Sequence, residues 1–275
     1  MAAIDHLAIE RLGADDARAG LLLSEEAHWN QNEADWRFFL TKGSVFGVRD
    51  SDGELIATAA LLPYRSGNAW ISMVLVTQNW RRRGLATKLL DACLDTANRQ
   101  KLTPWLDATP AGAAVYGPLG FTPTLELRRL RFEGSAASKA SPELMSASPG
   151  ELIARDRHAM GFDRSALLGE LGGRSGSRLA SHRGALALIR DGRKARHIGP
   201  LFSGDAASAM ALVDAIVNSE TGPILIDAVN EQDKFLEHLT ASGWTIERPF
   251  QRMRFGLATT KVLQPPFAVA GPEYG

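Results

Sequence analysis

Cysteine is almost missing from this chain of 275 residues: Cys93 stands alone, so no disulfide can close within it, and a reducing compartment is the simplest setting. An excess of either charge is missing as well. Lys+Arg and Asp+Glu both number 31, and a formal net charge of zero argues against duplex nucleic acid or an anionic membrane as partner, while leaving room for a local basic site. No apolar run approaches the roughly 18 residues that span a bilayer; the best, Ile56 to Leu62, is strand-sized. Met1 to Glu10 lacks the basic-then-apolar layout of a secretion signal, so a cytoplasmic protein is the expectation. His6, His28, His158, His182, His197 and His238 form no HxH, HxxxH or Cys–His spacing, which indicates no metal site. There is no GxGxxG and no Gly-Lys of a P-loop, and Ser177 stands where a nucleophile elbow at Gly173–Ser175 would need glycine.

What is present is the composition of a soluble globular protein, 45% hydrophobic and 23% charged, with a length that suits two domains. Apolar residues at helical spacing predict a helix over Asp15 to Ala27 and, after the turn-like Asn30-Gln31-Asn32, a second over Glu33 to Leu40. The period then changes. Ser44 to Arg49, Glu54 to Leu62 and Ala69 to Val76 read as strands, joined by hairpin turns at Asp52-Gly53 and Ser66-Gly67-Asn68. A helix over Gly84 to Asn98 carries Leu85, Leu89, Cys93, Leu94 and Ala97 on one stripe, where Cys93 is expected to be inert core. A strand (Thr103 to Ala108), a short helix (Ala111 to Leu119), a glycine cap at Gly120 and a strand (Glu126 to Phe132) follow.

Ser, Ala and Pro crowd the stretch from Gly134 to Gly150, the best linker candidate. Beyond it the order of elements repeats: helix Glu151 to Met160, strands Leu179 to His182, Ala185 to Arg190 and Lys194 to Phe202, helix Asp205 to Asn218, strand Ile224 to Val229, helix Glu231 to Ala241, strand Phe250 to Phe255. Leu119-Gly120-Phe121 lines up with Ser242-Gly243-Trp244, which suggests two diverged copies of one fold. The boundaries expected are 1–132, a linker 133–150, a second domain 151–258 and a tail 259–275. The fold class is α+β, each domain a mixed, mostly antiparallel sheet flanked by helices.

The most informative segment is Val74-Leu75-Val76 followed by Arg81-Arg82-Arg83-Gly84-Leu85-Ala86-Thr87, a strand, a turn and a helix start. A helix start leaves N–H groups unpaired at the positive end of its dipole, which suits a phosphate oxyanion. Gly84 and Ala86 let the backbone approach a pyrophosphate, and the arginines add positive charge. The plain alternative is a basic surface turn in front of an ordinary helix.

Val74-Leu75-Val76 with Arg81-x-x-Gly84-x-Ala86, together with Ala113-Ala114-Val115-Tyr116-x-x-Leu119-Gly120-Phe121, resembles the two signatures of the GNAT superfamily of acyl-CoA-dependent N-acyltransferases, over roughly residues 3 to 132. The second half is similar to the GNAT-like C-terminal domain of tandem members through Ile198-Gly199-Pro200-Leu201 and Ile226-Asp227. The resemblance implies an N-acetyltransferase that takes acetyl-CoA, or another short acyl-CoA, as co-substrate without a metal. Val74, Leu75, Val76 and the segment Arg81 to Thr87 would hold the cofactor. Tyr116 falls at the family's general acid, and a phenol with a pKa near 10 is a fair donor to a departing thiolate. The family's glutamate on the fourth strand has no counterpart in Trp70 to Val76, so Asp107 and His28 are the candidates for the base, with a water chain as the other route. Trp29, Asn30 and Trp70 are candidates for the acceptor pocket, alongside Trp36 and Trp105, of which at least two are expected to be core. In the second half Phe202-Ser203-Gly204-Asp205 replaces the arginine-glycine loop, and Asp205 as an N-cap would repel a pyrophosphate, so no CoA is expected there. The acceptor is a small-molecule amine or a peptide, left open with the oligomeric state. The missing glutamate keeps a non-catalytic acyl-CoA sensor or interaction module as the alternative function.

Overall fold

In a computed structural model, residues 7–134, 144–257 and 265–275 are described. The chain divides into two compact units, 1–106 and 107–275.

The first unit opens with an edge strand β1 (Ile9–Arg11) and helices α1 (Ala17–Glu26) and α2 (Glu33–Lys42). Asn32 starts α2 with a capping box: its Oδ1 accepts from the Asp35 N–H at 3.1 Å, and the Asp35 carboxylate accepts from the Asn32 N–H at 2.8 Å. The two helices touch closely at Gly20, where a Cβ would sit 2.4 Å from the Trp36 ring. The Trp36 indole N–H donates to Ser24 Oγ at 3.0 Å, which lets the whole ring be buried without a lost hydrogen bond.

Strands β2 (Ser44–Arg49), β3 (Leu55–Tyr64) and β4 (Asn68–Val76) form an antiparallel meander. Ser66 (φ 62°) and Gly67 (φ 71°) make the left-handed turn between β3 and β4. Helix α3 (Leu85–Arg99) buries Leu85, Leu89, Leu90, Cys93, Thr96 and Ala97, each large aliphatic contributing about 1.5–3 kcal/mol by leaving water. Burial pushes the Cys93 thiol up to about 12, so it stays protonated and unreactive. The chain then returns as β5 (Thr103–Ala108), parallel to β4. The order is β1-β2-β3-β4-β5.

The second unit begins with α4 (Pro110–Tyr116), a 3₁₀ turn at Gly117–Leu119 and the long strand β6 (Phe121–Phe132). After β7 (Met145–Ser146) come α5 (Pro149–Met160), α6 (Ser165–Gly173), β8 (Arg178–His182), β9 (Ala185–Arg190), β10 (Arg196–Phe202), α7 (Ala206–Ser219), β11 (Ile224–Val229), α8 (Asp233–Ala241) and β12 (Thr245–Phe255). Its strand order is β12-β6-β11-β10-β9-β8-β7, antiparallel except for β10 and β11. The meander, helix and parallel strand of the first unit thus recur as β8-β9-β10, α7 and β11. The core between sheet and helices gathers Ile198, Leu201, Leu212, Ile216, Ile226, Phe235 and Trp244.

Several elements differ from the sequence expectation. Helix α6 and strands β1 and β7 were not expected, β7 falling within the expected linker, and β6 and β12 each begin five residues earlier, at Phe121 and Thr245. Of the expected linker 133–150, residues 135–143 lie outside the described residues, as do 258–264 of the expected tail. Helix α4 and strand β6 pack within the second unit, β6 lying between β11 and β12.

Candidate active site

Strand β4 carries an irregularity that shapes its end. Its ladder to β3 pairs Ser72 with Ala60 and Leu75 with Thr58, so Met73 and Val74 together face the single residue Ala59. Met73 takes a left-handed backbone, φ 53°, and the buried Thr58 hydroxyl holds its carbonyl at 2.9 Å. Before this bulge β4 pairs with β5 through three residues, Asn68 to Trp70 with Thr103 to Trp105, and among the described residues the parallel ladder stops there. Thr77 donates to Ile56 on β3, so by alternation Val76 turns its own polar groups to the opposite edge, where its carbonyl accepts from Arg81 Nε at 3.0 Å.

The chain leaves β4 through a 3₁₀ turn at Gln78–Trp80, tied to α1 by Gln78 N–H donating to Glu26 Oε1 at 2.6 Å. Arg83 folds back, donating to the Asn79 carbonyl at 2.9 Å with its guanidinium 4.7 Å from the Trp80 ring centre. Arg81 and Arg82 are exposed. Gly84 enters α3 at φ 87°, ψ 0°, a left-handed conformation that glycine adopts without a Cβ clash. No side chain caps the helix, and among the described residues the N–H groups of Leu85, Ala86 and Thr87 have no protein acceptor. An uncapped helix start with two exposed arginines beside it is an anion-binding arrangement.

The corresponding turn of the second unit is built differently. Three residues, Ser203 to Asp205, separate β10 from α7, where eight, Thr77 to Gly84, separate β4 from α3. Asp205 caps α7, its carboxylate accepting from the Ser208 N–H at 2.8 Å and from the Ser208 hydroxyl at 2.9 Å. Those hydrogen bonds hold its carboxyl below the usual range, so a negative charge sits where the first unit offers bare N–H groups.

The remaining sequence candidates fall in varied surroundings. Asn30 is buried, Trp29 partly exposed and His28 exposed, all in the segment between α1 and α2. Trp70 is fully buried, as is Trp36, and neither presents surface to a pocket. Next to Asn30, the buried Gln31 Oε1 has no hydrogen-bond partner among the described residues, and the same holds for Ser72 Oγ on β4. Buried polar atoms without partners are where a ligand or water group belongs. Sequence reasoning passed over both.

In the second unit, Tyr116 ends α4 partly exposed, its ring 6.0 Å from that of Phe121. The Asp107 side chain is wholly buried and both its oxygens accept from Arg252, at 2.9 Å each. Burial pushes the Asp107 carboxyl up, against the pull of Arg252. With both oxygens occupied, Asp107 is placed as half of an ion pair rather than as a free proton acceptor.

The second unit also holds a buried polar chain that the sequence reading did not find. Arg129 on β6 and Asp227 on β11 face each other across the ladder and join by two hydrogen bonds of 2.8 Å. His197 on β10 contacts the same carboxylate at 2.9 Å. Burial opposes the charge on Asp227, but the Arg129 guanidinium and the His197 N–H outweigh it and hold the carboxyl far below its ordinary range. Burial and the nearby Arg190 guanidinium lower His197, which stays neutral. Among the described residues no three His, Cys, Asp or Glu groups are placed to hold a metal ion, and no helix is long and apolar enough to cross a membrane.

Comparison with known proteins bears on both halves of the chain. The family model described as acetyltransferase (GNAT) family matches residues 12–121, and one described as acetyltransferase (GNAT) domain matches residues 152–263. The chain is 25% identical over 238 residues to the uncharacterized N-acetyltransferase YitH of Bacillus subtilis, covering 82% of this chain and 84% of that protein. Its fold is shared with a protein from Pyrococcus horikoshii known from a crystal structure, at TM-score 0.80 and 20% identity over 98% of this chain and 96% of the other. It is shared too with a tandem GNAT protein from the clavulanic acid biosynthesis pathway, at TM-score 0.63 and 16% identity over 92% and 100%. The chain belongs to the GNAT family of N-acetyltransferases and carries two of its domains in tandem.

Proposed function

We propose that the first domain moves an acetyl group from acetyl-CoA to a primary amine, and that the second domain binds no CoA. The observation that carries this is the uncapped start of α3 behind left-handed Gly84, against the Asp205-capped start of α7. The pyrophosphate would lie on the N–H groups of Leu85, Ala86 and Thr87, with Arg81 and Arg82 neutralising charge. Val74 to Val76 on the bulged strand would receive the pantetheine, the Val76 N–H facing the thioester arm. A preorganised donor at the thioester oxygen lowers the barrier by on the order of 3 kcal/mol.

The neutral amine attacks the thioester carbon, the C–S bond breaks, and the thiolate takes a proton. Tyr116 keeps the donor role that the family resemblance gives it. Of the two candidate bases we retain His28, exposed in the segment after α1, since Asp107 is committed to Arg252. Trp29 and Asn30, together with the unpartnered Gln31 Oε1 and Ser72 Oγ, are the groups we assign to acceptor recognition.

Calorimetric titration with acetyl-CoA tests this reading. One site per chain is expected, followed by thiol release when an accepted amine is added. Two sites would refute the degenerate second domain. Binding without thiol release across a broad amine panel would leave a CoA-binding module in place of an enzyme.

A further inference from the structure

Strands β10 and β11 of the second unit repeat the geometry of β4 and β5. They pair in parallel through three residues, Arg196 to Ile198 with Ile224 to Ile226. An extra residue at Gly199-Pro200 then bulges β10, because Ile198 pairs with Ile189 and Leu201 with Ala187. Past this point the two strands are bridged by another piece of the chain. Residues 267–270 run antiparallel to both, with Ala268 opposite Leu201 on one side and Ala228 on the other.

The hydrogen bonds are those of an inserted strand. Leu201 N–H donates to the Ala268 carbonyl and Phe267 N–H to the Leu201 carbonyl, both at 2.9 Å. On the β11 side, Val229 N–H donates to Phe267 and Val269 N–H to Asp227, both at 3.0 Å. The side chains suit a narrow place: Ala268 and Ala270 are small, and Phe267 to Ala270 are all buried. Gly199 is needed for the approach, since a Cβ there would lie 2.0 Å from the Val269 carbonyl oxygen.

Charged groups then fasten residues 270–275. Arg190 donates to the Ala270 carbonyl at 2.8 Å and to Glu273 at 2.9 Å, and its guanidinium lies over the Tyr274 ring. Arg164, paired with the buried Asp156, donates to the carbonyls of Tyr274 and Gly275. Two buried arginines whose hydrogen bonds reach a nine-residue segment make this a built site, not a loose end folded back.

From this we infer that the gap between β10 and β11 is a peptide-binding slot, whose ligand is residues 267–275 of the chain itself, held by strand addition where the pantetheine arm of an acyl-CoA would lie in a working domain. The ligand class is an extended peptide with small residues at alternate positions, recognised mainly through its backbone. This goes beyond the proposal that the second domain binds no CoA, because it names the occupant of its cleft.

The test starts from the full chain with a protease recognition sequence placed within positions 258–264. After cleavage, a fluorescent peptide of residues 265–275 is exchanged against the resident fragment and followed by anisotropy, beside the same peptide carrying Val269→Pro. We expect saturable one-to-one exchange, with the proline peptide about ten-fold weaker or worse, since it lacks the N–H that donates to Asp227. Equal affinity for the two peptides, or loss of the fragment without any fall in melting temperature, overturns the inference. If cleavage unfolds the domain, amide hydrogen exchange on the uncut chain decides. Leu201 and Val229 should then be protected as strongly as the amides of the β9–β10 ladder, and rapid exchange at both overturns it. Titration of the uncut chain with acetyl-CoA separates this idea from the transferase reading: two molecules bound refute the occupied slot, whereas none bound removes the transferase reading and leaves the slot intact.

Discussion

Replacing Gly84 probes the proposed pyrophosphate site at its most constrained atom. At φ 87°, ψ 0° the residue sits in left-handed space, where an L side chain costs about 1–2 kcal/mol. If the loop holds this turn in order to aim the α3 N–H groups at a phosphate, Gly84→Ala sets that strain against binding. At about 1.4 kcal/mol per factor of ten, acetyl-CoA affinity should fall about 5–30-fold. Gly84→Asn should lie between wild type and alanine, because asparagine tolerates the left-handed region better. Gly84→Glu adds a like charge near the phosphates; at about 5 Å and an effective dielectric of about 20–40 this costs a further 1.7–3.3 kcal/mol, enough to put binding outside the measurable range. The assay is calorimetric titration of each variant, with circular dichroism melts to establish that it is folded. Raising the salt concentration should weaken wild-type binding. If folded Ala, Asn and Glu variants all bind within about two-fold of wild type, the phosphates do not rest on this helix and the assignment fails.

Tyr116→Phe should slow acetyl transfer by about 10²–10⁴ while leaving acetyl-CoA affinity nearly unchanged, and an unaltered steady-state rate would remove Tyr116 from the mechanism. Asp227→Asn leaves the buried Arg129 without its counter-charge, so denaturant unfolding should show a loss of about 3–5 kcal/mol; a loss below about 1 kcal/mol would mean the pair is not buried as described. His197 gives a pH dependence of defined sign. Its folded pKa is lowered, so the unfolded chain binds the extra proton, and stability should fall as pH drops through the ordinary histidine value near 6.5. The slope attributable to it approaches about 1.4 kcal/mol per pH unit between roughly pH 6 and the folded pKa, and His197→Gln should flatten that part of the profile.

Features that depend only on residues a few positions apart were legible in the sequence. Asp205 starts its helix as a side-chain cap, Gly120 and Gly243 end theirs with positive φ, and Cys93 falls on a buried stripe, because each of these depends on neighbours one turn away. The Arg81–Ala86 motif belongs to the same group, since a helix start and a glycine turn are local objects, and with the Tyr116 segment it was enough to reach the family. Helix α6 escaped notice because three of its nine residues are glycine, and β1 because all three of its residues are exposed and carry no alternation.

Tertiary structure alone decided the rest, for one physical reason: the partners are far apart in the chain. Asp107 looked like a candidate base until Arg252, 145 residues away, took both of its oxygens. Trp70 looked like a pocket wall, but its burial depends on how strands and helices close around it. Arg129 and Asp227 are ordinary charged residues in the sequence, and only the β6–β11 register sets them face to face, 98 positions apart. The segment 267–270 has no pattern that announces a strand, because its hydrogen-bonding neighbours, Leu201 and Asp227, lie on strands far from it in the chain. A sequence writes its turns and helix ends locally, whereas the filling of a cleft is settled by whichever distant segment satisfies its open backbone groups.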